Sequence, residues 1–382
     1  MWTAICVLVS LLILAYLAII SNIVLGWKSL PEWDTLKKSV NTKVSVLIAA
    51  RNEEQNIAAT LQSVTNQNFP SELLEIIVID DHSKDNTAAI VKAFPATNIK
   101  LISLEQHIEA NSTQSFKKKA IEVAIAQATG DLIVTTDADC LAEPNWLRYL
   151  VSYYEIHQPK IIAAPVVFED EHTLFQQFQS LDFIGMMGVT GAGIHKRFLH
   201  MCNGANLAYP KAVFNEVNGF EGIDHLASGD DMLLMHKIVK KYPDDIAYIK
   251  QAGAAVRTTP KRSVRSFLNQ RLRWATKTTS YQETQVTVVW GLVWLFSISI
   301  VLTGLLSVFY SPLLGLFLLQ LAAKVIADYV FLRHIARFFG RHDLMRIWVF
   351  GAAVFLEIWY VVTVGVLGSV KAKYEWKGRT VE

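Results

Sequence analysis

Four polar clusters in this chain have the residue types and spacing to do chemistry. Asp80-Asp81, Asp137-Ala138-Asp139 and Asp230-Asp231 come in that order, each close to an apolar run, and Gln270-Arg271-Leu272-Arg273-Trp274 follows them. Carboxylates gathered on one rim repel one another unless a cation or a ligand's donors sit among them. A hard divalent cation held by one or two carboxylates neutralises phosphate charge, and a carboxylate can also take the proton of a reacting hydroxyl. One Asp-x-Asp pattern is expected about once by chance in a chain of this length at ordinary composition, so a single pair says little. The signal is the ordered series.

The elements that must position these residues follow from the apolar runs. Val44-Ser45-Val46-Leu47-Ile48-Ala49-Ala50 is short, rich in β-branched residues and ends at Arg51-Asn52-Glu53-Glu54. Ile57, Ala58, Leu61 and Val64 then recur at helical spacing within residues 54–65. Ile76-Ile77-Val78-Ile79 stops at Asp80-Asp81-His82-Ser83, before a helical pattern from Thr87 to Phe94. A third strand, Lys100-Leu101-Ile102-Ser103, precedes a helix around 116–128, and Gly130 breaks the chain before the strand Asp131–Thr136. Alternating strands and helices, with almost wholly apolar strands, predict a parallel sheet covered on both faces.

In open α/β sheets ligands bind outside the carboxyl ends of the strands, where Arg51–Glu54, Asp80-Asp81, Asp137 and Asp139 all fall. No Gly-x-Gly-x-x-Gly follows the first strand and no Gly-Lys-Ser/Thr loop occurs, which excludes the dinucleotide and P-loop classes. Gly185, Gly188, Gly191 and Gly193 read as flexible or closely packed backbone. Asp230-Asp231 opens an amphipathic helix within Ala227–Leu234. On the residues alone, charge complementing the helix macrodipole accounts for this pair as well as acid–base chemistry does.

The chain has 382 residues, 52% of them hydrophobic, and their distribution is uneven. Residues 4–25 carry no charge and, as a helix, span roughly 30 Å of hydrocarbon. The stretch is too long for a signal peptide and lacks a basic start and a small-residue cleavage site, so it is expected to be an anchor. Residues 286–310, 311–332 and 347–370 read as further spans. The middle one carries Lys324 and Asp328, four apart on one face and able to pair within a bundle; a shallow interfacial helix is the alternative. A net charge of +2 gives no nucleic-acid footprint. Cys6, Cys140 and Cys202 have no metal spacing and suggest no disulfide framework. Lys28, Lys37 and Lys38 after the first span, and Lys261, Arg262, Arg265, Arg271 and Arg273 before the second, put residues 27–285 in the cytoplasm. The loop 333–346 and the tail are both basic, and simple crossings cannot leave both inside: either one C-terminal segment is re-entrant or the tail breaks the rule.

With Asn203-Gly204-Ala205-Asn206 and Val217-Asn218-Gly219-Phe220 between the acidic clusters, the series from about Val44 to Trp274 resembles the family 2 glycosyltransferases of GT-A fold. The similarity is greatest to the membrane-embedded branch that includes cellulose, hyaluronan and poly-N-acetylglucosamine synthases. It implies a Rossmann-like, mostly parallel sheet with transmembrane helices on both sides, and inverting transfer of a sugar from a nucleotide diphosphate donor. By this resemblance Asp137 and Asp139 hold Mg2+ or Mn2+, Asp81 accepts from uracil or ribose, and Arg51 and Glu53 contact base and ribose. Asp80 is the weaker candidate, since it can cap the following turn. Asp231, the second acid of its pair, matches the general base, with Asp230 keeping the pair's proton affinity high. Gln270 and Arg273 are donor contacts, Arg273 pairing with the departing diphosphate, and Trp274 offers a flat face to the acceptor sugar. The chain departs from the pattern at Lys117-Lys118-Lys119, where many relatives have Gly-Lys before Ala; which lysine reaches a donor phosphate is open. His195, Lys196 and Arg197 fit lipid phosphate and ordinary solvated charge equally.

The expected organisation is an N-terminal transmembrane helix (4–25), a cytoplasmic GT-A domain ending in an interfacial helix (42–285), a transmembrane region (286–370) and a basic tail (371–382). The expected protein is a multi-pass enzyme of the inner (plasma) membrane that moves a sugar from a UDP-sugar donor to a growing polysaccharide, among membrane lipids and without nucleic acid. Four spans make a secretion channel only with a partner protein or as a homo-oligomer. Non-processive glycosylation of a membrane lipid is the second reading, because ceramide glucosyltransferases carry a related pattern. A catalytically silent membrane scaffold or transport component is the third, and the intact acids argue against it.

Overall fold

The computed structural model describes residues 2–107, 115–224, 226, 229–275, 283–369, 374–376 and 379–381. Ala227 and Ser228, and the tail lysines Lys371, Lys373 and Lys377, lie outside the described residues. In chain order the elements are α1 (Trp2–Ser29), β1 (Val44–Ala50), α2 (Ile57–Thr65), β2 (Leu74–Asp80), α3 (Thr87–Ala93), β3 (Ile99–Ser103), α4 (Phe116–Gln127) and β4 (Leu132–Asp137). They continue with β5 (Leu141–Ala142), α5 (Trp146–His157), β6 (Ile161–Ala163), β7 (Val166–Phe168), α6 (Leu174–His195), β8 (Leu207–Pro210), α7 (Lys211–Glu216) and α8 (Asp230–Lys241). β9 (Ile246–Tyr248), β10 (Val256–Thr258), α9 (Val264–Ala275), α10 (Thr284–Leu306), α11 (Pro312–Phe338) and α12 (Ile347–Ser369) follow.

These elements form two units. The first contains Pro31–Glu169, His200–Thr259 and Glu375–Glu382; the second contains Met1–Leu30, Asp170–Leu199 and Pro260–Tyr374. Residues 170–199 and 260–275, read from the sequence as part of one continuous domain, group with the apolar helices.

In the first unit a seven-stranded sheet has the order β3-β2-β1-β4-β8-β6-β9. β3, β2, β1 and β4 are parallel, whereas β8 runs antiparallel to both β4 and β6. The sheet is thus parallel-dominated rather than wholly parallel. β8 is entered after the long excursion through Asp170–Leu199, so no crossover helix forces it to run with its neighbours. Val44, Val46, Ile48, Ile76, Ile77, Val78, Ile79, Leu132, Ile133 and Val134 have no exposed surface. Each such side chain contributes about 1.5–3 kcal/mol on burial, and consecutive burial is what a sheet covered on both faces requires. The register sets Asp80 opposite Ala50 and Asp137 opposite Ala49, which brings the polar strand ends level at one edge.

The second unit is helical. α1, α10, α11 and α12 are each long and apolar enough to cross a membrane. Tyr16 of α1 stacks on Phe296 of α10, with centroids 4.4 Å apart. Trp2 meets Tyr310 and Trp27 meets Phe338 edge-on, so α1 and α11 run in the same direction. Lys324 is fully buried and does pair with Asp328, at 2.9 Å. It also reaches Glu357 of α12 at 2.6 Å and donates to the Tyr16 hydroxyl at 3.1 Å. Removing such a charge from water is tolerable only with partners of this kind. The glycine stretch is close-packed helix: a Cβ on Gly188 would lie 2.7 Å from the Ile335 side chain, and one on Gly185 2.9 Å from that of Leu332. These glycines let α6 cross α11 at backbone distance.

Candidate functional site

The loops after β1 and β2 are fastened to each other. Asn52 accepts from the Lys84 N–H at 2.8 Å, while its own N–H donates to Ser83 Oγ at 3.0 Å. Glu54 accepts from the Asn86 N–H at 3.0 Å. Asn52 and His82 have φ of +52° and +56°, a left-handed conformation stabilised by these local bonds. Arg51, 8% exposed, donates to the carbonyls of Asp81 (2.7 Å) and His82 (3.3 Å) and lies 3.9 Å from Asp81 Oδ1. Asp81 is buried, 2.9 Å from His82 Nδ1, with its N–H donated to the Ala50 carbonyl. The Glu53 N–H donates to Thr87 Oγ1, and its carboxylate accepts from the Asn56 amide at 2.8 Å. Arg51, Glu53 and Asp81 are therefore brought together on one rim, each with a defined orientation. Asp80 Oδ1 is buried and has no hydrogen-bond partner among the described residues, so this oxygen does not cap the following turn.

Asp137 ends β4, and ligand atoms of Asp137, Asp139 and Cys140 all lie within 4.8 Å of one another. Burial raises the Cys140 thiol well above its ordinary value, and the charges of Asp139 and Asp137 raise it further. Both effects favour the neutral thiol, and the oxygen pair Asp137/Asp139 is the part of the group whose ligand chemistry suits a hard divalent cation.

Across from this pair, α8 opens with Asp230 and Asp231. Gly229 supplies the entry at φ +83°, which an L side chain adopts only with strain. Asp231 Oδ2 accepts from the Gly204 N–H at 3.0 Å, and Oδ1 from the Met232 N–H at 2.7 Å. Gly204 is fixed in turn by Thr135 of β4, whose hydroxyl donates to its carbonyl at 2.7 Å. Asn206, fully buried, accepts from the Trp146 indole and donates to the carbonyls of Pro165 and Ala254; it holds the fold.

Lys117 joins the two acidic groups. Its Nζ lies 3.1 Å from Asp137 Oδ1 and 3.2 Å from Asp230 Oδ2. Burial alone would favour the neutral amine, but Asp137, Asp230 and Asp231 outweigh it and raise the lysine well above its usual value. The next residue acts differently: Lys118 is buried and donates to the Ile223 and Leu226 carbonyls at 2.5 and 2.7 Å, anchoring the approach to α8. The sequence left three lysines as equal candidates for this region; the helical turn of α4 separates them.

Gln270, Arg273 and Trp274 lie on α9, in the second unit. Trp274 packs near Phe183 with rings 27° apart. Arg271, one of the unspecified positions of Gln-x-x-Arg-Trp, is the most buried charged residue of the motif and pairs with Asp182. Sequence reasoning passed over this pair, although a lone acid inside the apolar run 174–195 was a signal.

The glycosyl transferase family 2 model matches residues 45–217, and that of glycosyl transferase family group 2 matches residues 132–327. The chain is 29% identical over 197 residues to a probable glycosyltransferase, YdaM, of Bacillus subtilis, covering 51% of this chain and 46% of that protein. It is 28% identical over 191 residues to glycosyltransferase AglE of Haloferax volcanii (50% and 59%). To a poly-beta-1,6-N-acetyl-D-glucosamine synthase of Staphylococcus epidermidis it is 26% identical over 148 residues (38% and 34%). The chain spans about half the length of the first two of these relatives. In fold it is similar to the mannosyltransferase PcManGT from Pyrobaculum calidifontis, solved with GDP-Man and Mn2+, at a TM-score of 0.52 and 17% identity over 97% of this chain and 98% of that one. The chain belongs to glycosyltransferase family 2 and has the GT-A fold.

Proposed function

We propose that this chain is an inverting membrane glycosyltransferase that transfers a sugar from a UDP-sugar to a growing polysaccharide. The observation that carries this reading is the Lys117 bridge, which sets the Asp137/Asp139 pair beside the Asp230/Asp231 pair in one unit. Asp137 and Asp139 would hold Mg2+ or Mn2+, and the ion, when bound, neutralises the departing diphosphate. Asp81, Arg51 and Glu53 orient the nucleoside. Lys117 and Arg273 add positive charge for the diphosphate, with Gln270 as a further donor contact. Asp231 is the general base: the acceptor oxygen attacks the anomeric carbon, the bond to the diphosphate breaks on the opposite face, and the acceptor proton passes to Asp231. The N–H groups of Gly204 and Met232 hold that carboxylate in a fixed orientation. Trp274 presents its face to the acceptor.

The membrane reading follows from the second unit. α1, α10 and α11 cross, with the catalytic unit on the cytoplasmic face. Eight residues separate the end of α11 from the start of α12, which lies on that same face. Tyr360, near its middle, donates to Asp182 of α6, and its end returns to α9, where a Cβ on Gly368 would lie 3.7 Å from the Ala275 side chain. A crossing helix of this length would carry its end about 30 Å away. These contacts support α12 as a helix lying within the cytoplasmic leaflet, which leaves both the basic loop 339–346 and the basic tail inside.

Three crossing helices are few for a polysaccharide channel, and this favours transfer to a membrane lipid as the second reading. The test is nucleotide release by the detergent-purified protein with Mn2+, against UDP-sugars, GDP-mannose and a membrane lipid extract, with products analysed by mass. A ladder of repeating sugar masses supports the polymer. A lipid carrying one sugar replaces it with the second reading, and turnover with GDP-mannose alone overturns the UDP assignment.

A further inference from the structure

The Gln270–Trp274 segment is held by residues to which the roles above assign nothing. Arg271 is 5% exposed, and its Nη2 lies 2.5 Å from Asp182 Oδ2. The other oxygen of Asp182, Oδ1, accepts from the Tyr360 hydroxyl of α12 at 2.7 Å. Three helices, α6, α9 and α12, thus meet at one carboxylate. The Arg271 guanidinium lies 4.4 Å from the Trp274 ring centroid, 4.9 Å from that of Phe267 and 5.6 Å from that of Tyr360. Phe183, one residue beyond Asp182 on α6, flanks Trp274 with centroids 6.1 Å apart.

A buried guanidinium needs a counter-charge, and a planar one held in place presents a flat face to a neighbouring ring. Both oxygens of Asp182 are engaged, so the carboxylate is fixed by Tyr360 while it fixes Arg271. The guanidinium is then one of the surfaces that set the plane of Trp274. Lysine could satisfy Asp182, but an ammonium has no face to stack.

We propose that Asp182 and Tyr360 are positioning residues for sugar transfer, acting through Arg271 to set the plane of Trp274 against the acceptor. This rests on the transferase reading above and names the residues that shape its acceptor site. α12 then has a purpose beyond membrane attachment, because it carries the hydroxyl that completes the arrangement.

The test joins kinetics of the full-length protein in detergent to fluorine NMR of fluorotryptophan-labelled protein, with the residue 274 signal identified by its loss in Trp274→Phe. Asp182→Asn and Tyr360→Phe are expected to move that signal and to raise the acceptor KM roughly tenfold, as loss of a charge-assisted hydrogen bond would, with the donor KM unchanged. Arg271→Lys is expected to behave like Asp182→Asn despite its retained charge. Tyr360→Phe keeps the ring, so it remains informative if Asp182→Asn fails to fold. A 274 signal unmoved by Tyr360→Phe overturns the coupling whatever the turnover. Equal rises in both KM values, or a loss of kcat that merely tracks thermal stability, also overturn it. A wild-type protein that transfers no sugar while its 274 signal responds to Tyr360→Phe sinks the transferase reading and leaves the coupling standing.

Discussion

Replacing Lys117 by methionine removes the charge between the two acidic pairs while nearly keeping the side chain's volume. The ammonium stands 3.1 Å from Asp137 and 3.2 Å from Asp230. At an effective dielectric of 20 each contact has a gross Coulomb energy of about 5 kcal/mol. Desolvation of the ammonium offsets most of that sum, and removing one partner of a well-buried pair costs about 3–5 kcal/mol. The Lys117 side chain is 23% exposed and that of Asp137 39%, so solvent screening lowers the expected loss to about 2 kcal/mol. A divalent cation at Asp137 and Asp139 would replace the missing charge. Lys117→Met should therefore unfold at a lower temperature than wild type without metal, and Mn2+ should raise its midpoint more than it raises that of wild type, by mass action on the folded state. Thermal unfolding of both proteins with and without Mn2+, in the absence of nucleotide, measures this directly. An unchanged midpoint together with an unchanged Mn2+ response would refute the idea that Lys117 neutralises these acids.

Further predictions concern the base, the metal, acid stability and topology. Asp231→Asn nearly keeps the side chain's shape and, with one acceptor oxygen, one of the two N–H contacts, and should retain UDP-sugar binding while lowering turnover by roughly 10²–10⁴-fold; calorimetric donor affinity and nucleotide release separate the two effects. Asp139→Ala should weaken metal-dependent donor binding, measured as the ratio of donor affinities with and without Mn2+. Glu155 accepts from the backbone of Asn41 and Thr42 and pairs with Lys37; burial would raise its carboxyl, but these bonds lower it to about 2. A lowered folded value gives stability that is fully present above the unfolded value of 4.5 and is lost as pH falls towards 2. With screening this amounts to on the order of 2 kcal/mol, so Glu155→Gln should flatten the acid limb of the stability curve between those values. For topology, Lys377→Cys in a background lacking Cys6, Cys140 and Cys202 should react with an impermeant maleimide only from the cytoplasmic face, and labelling from the opposite face would return α12 to a full crossing.

The parts legible in the sequence are those that chain-local physics fixes. β1 was readable residue for residue because a β-branched run ends abruptly at Arg51, and a fully buried strand must stop where charge begins. That ending also places Arg51, Asp81 and Asp137 at one edge, since parallel strands of similar length finish level. The reversal at β8 was not legible, because its direction depends on how the chain returns from 170–199 rather than on Leu207–Pro210 itself. Within the site, Lys117 and Lys118 are adjacent in sequence yet hold different groups, since a helix turns each residue about 100° from the last. No pattern in Phe116–Ala120 tells which lysine faces Asp137; only α4 docked beside β1 and β2 does. The Asp182–Arg271–Tyr360 arrangement is further still from local reading, with partners 89 and 178 residues apart. Its arginine sits at a position the motif leaves unspecified, which is physically reasonable. The motif's named residues are those that would meet substrate, whereas a residue that only orients them can change with whatever its own helix packs against. In this chain that partner is an acid in an apolar helix, completed by a tyrosine from α12, so the surroundings of Arg271 and Trp274 became visible only once three distant helices were packed together.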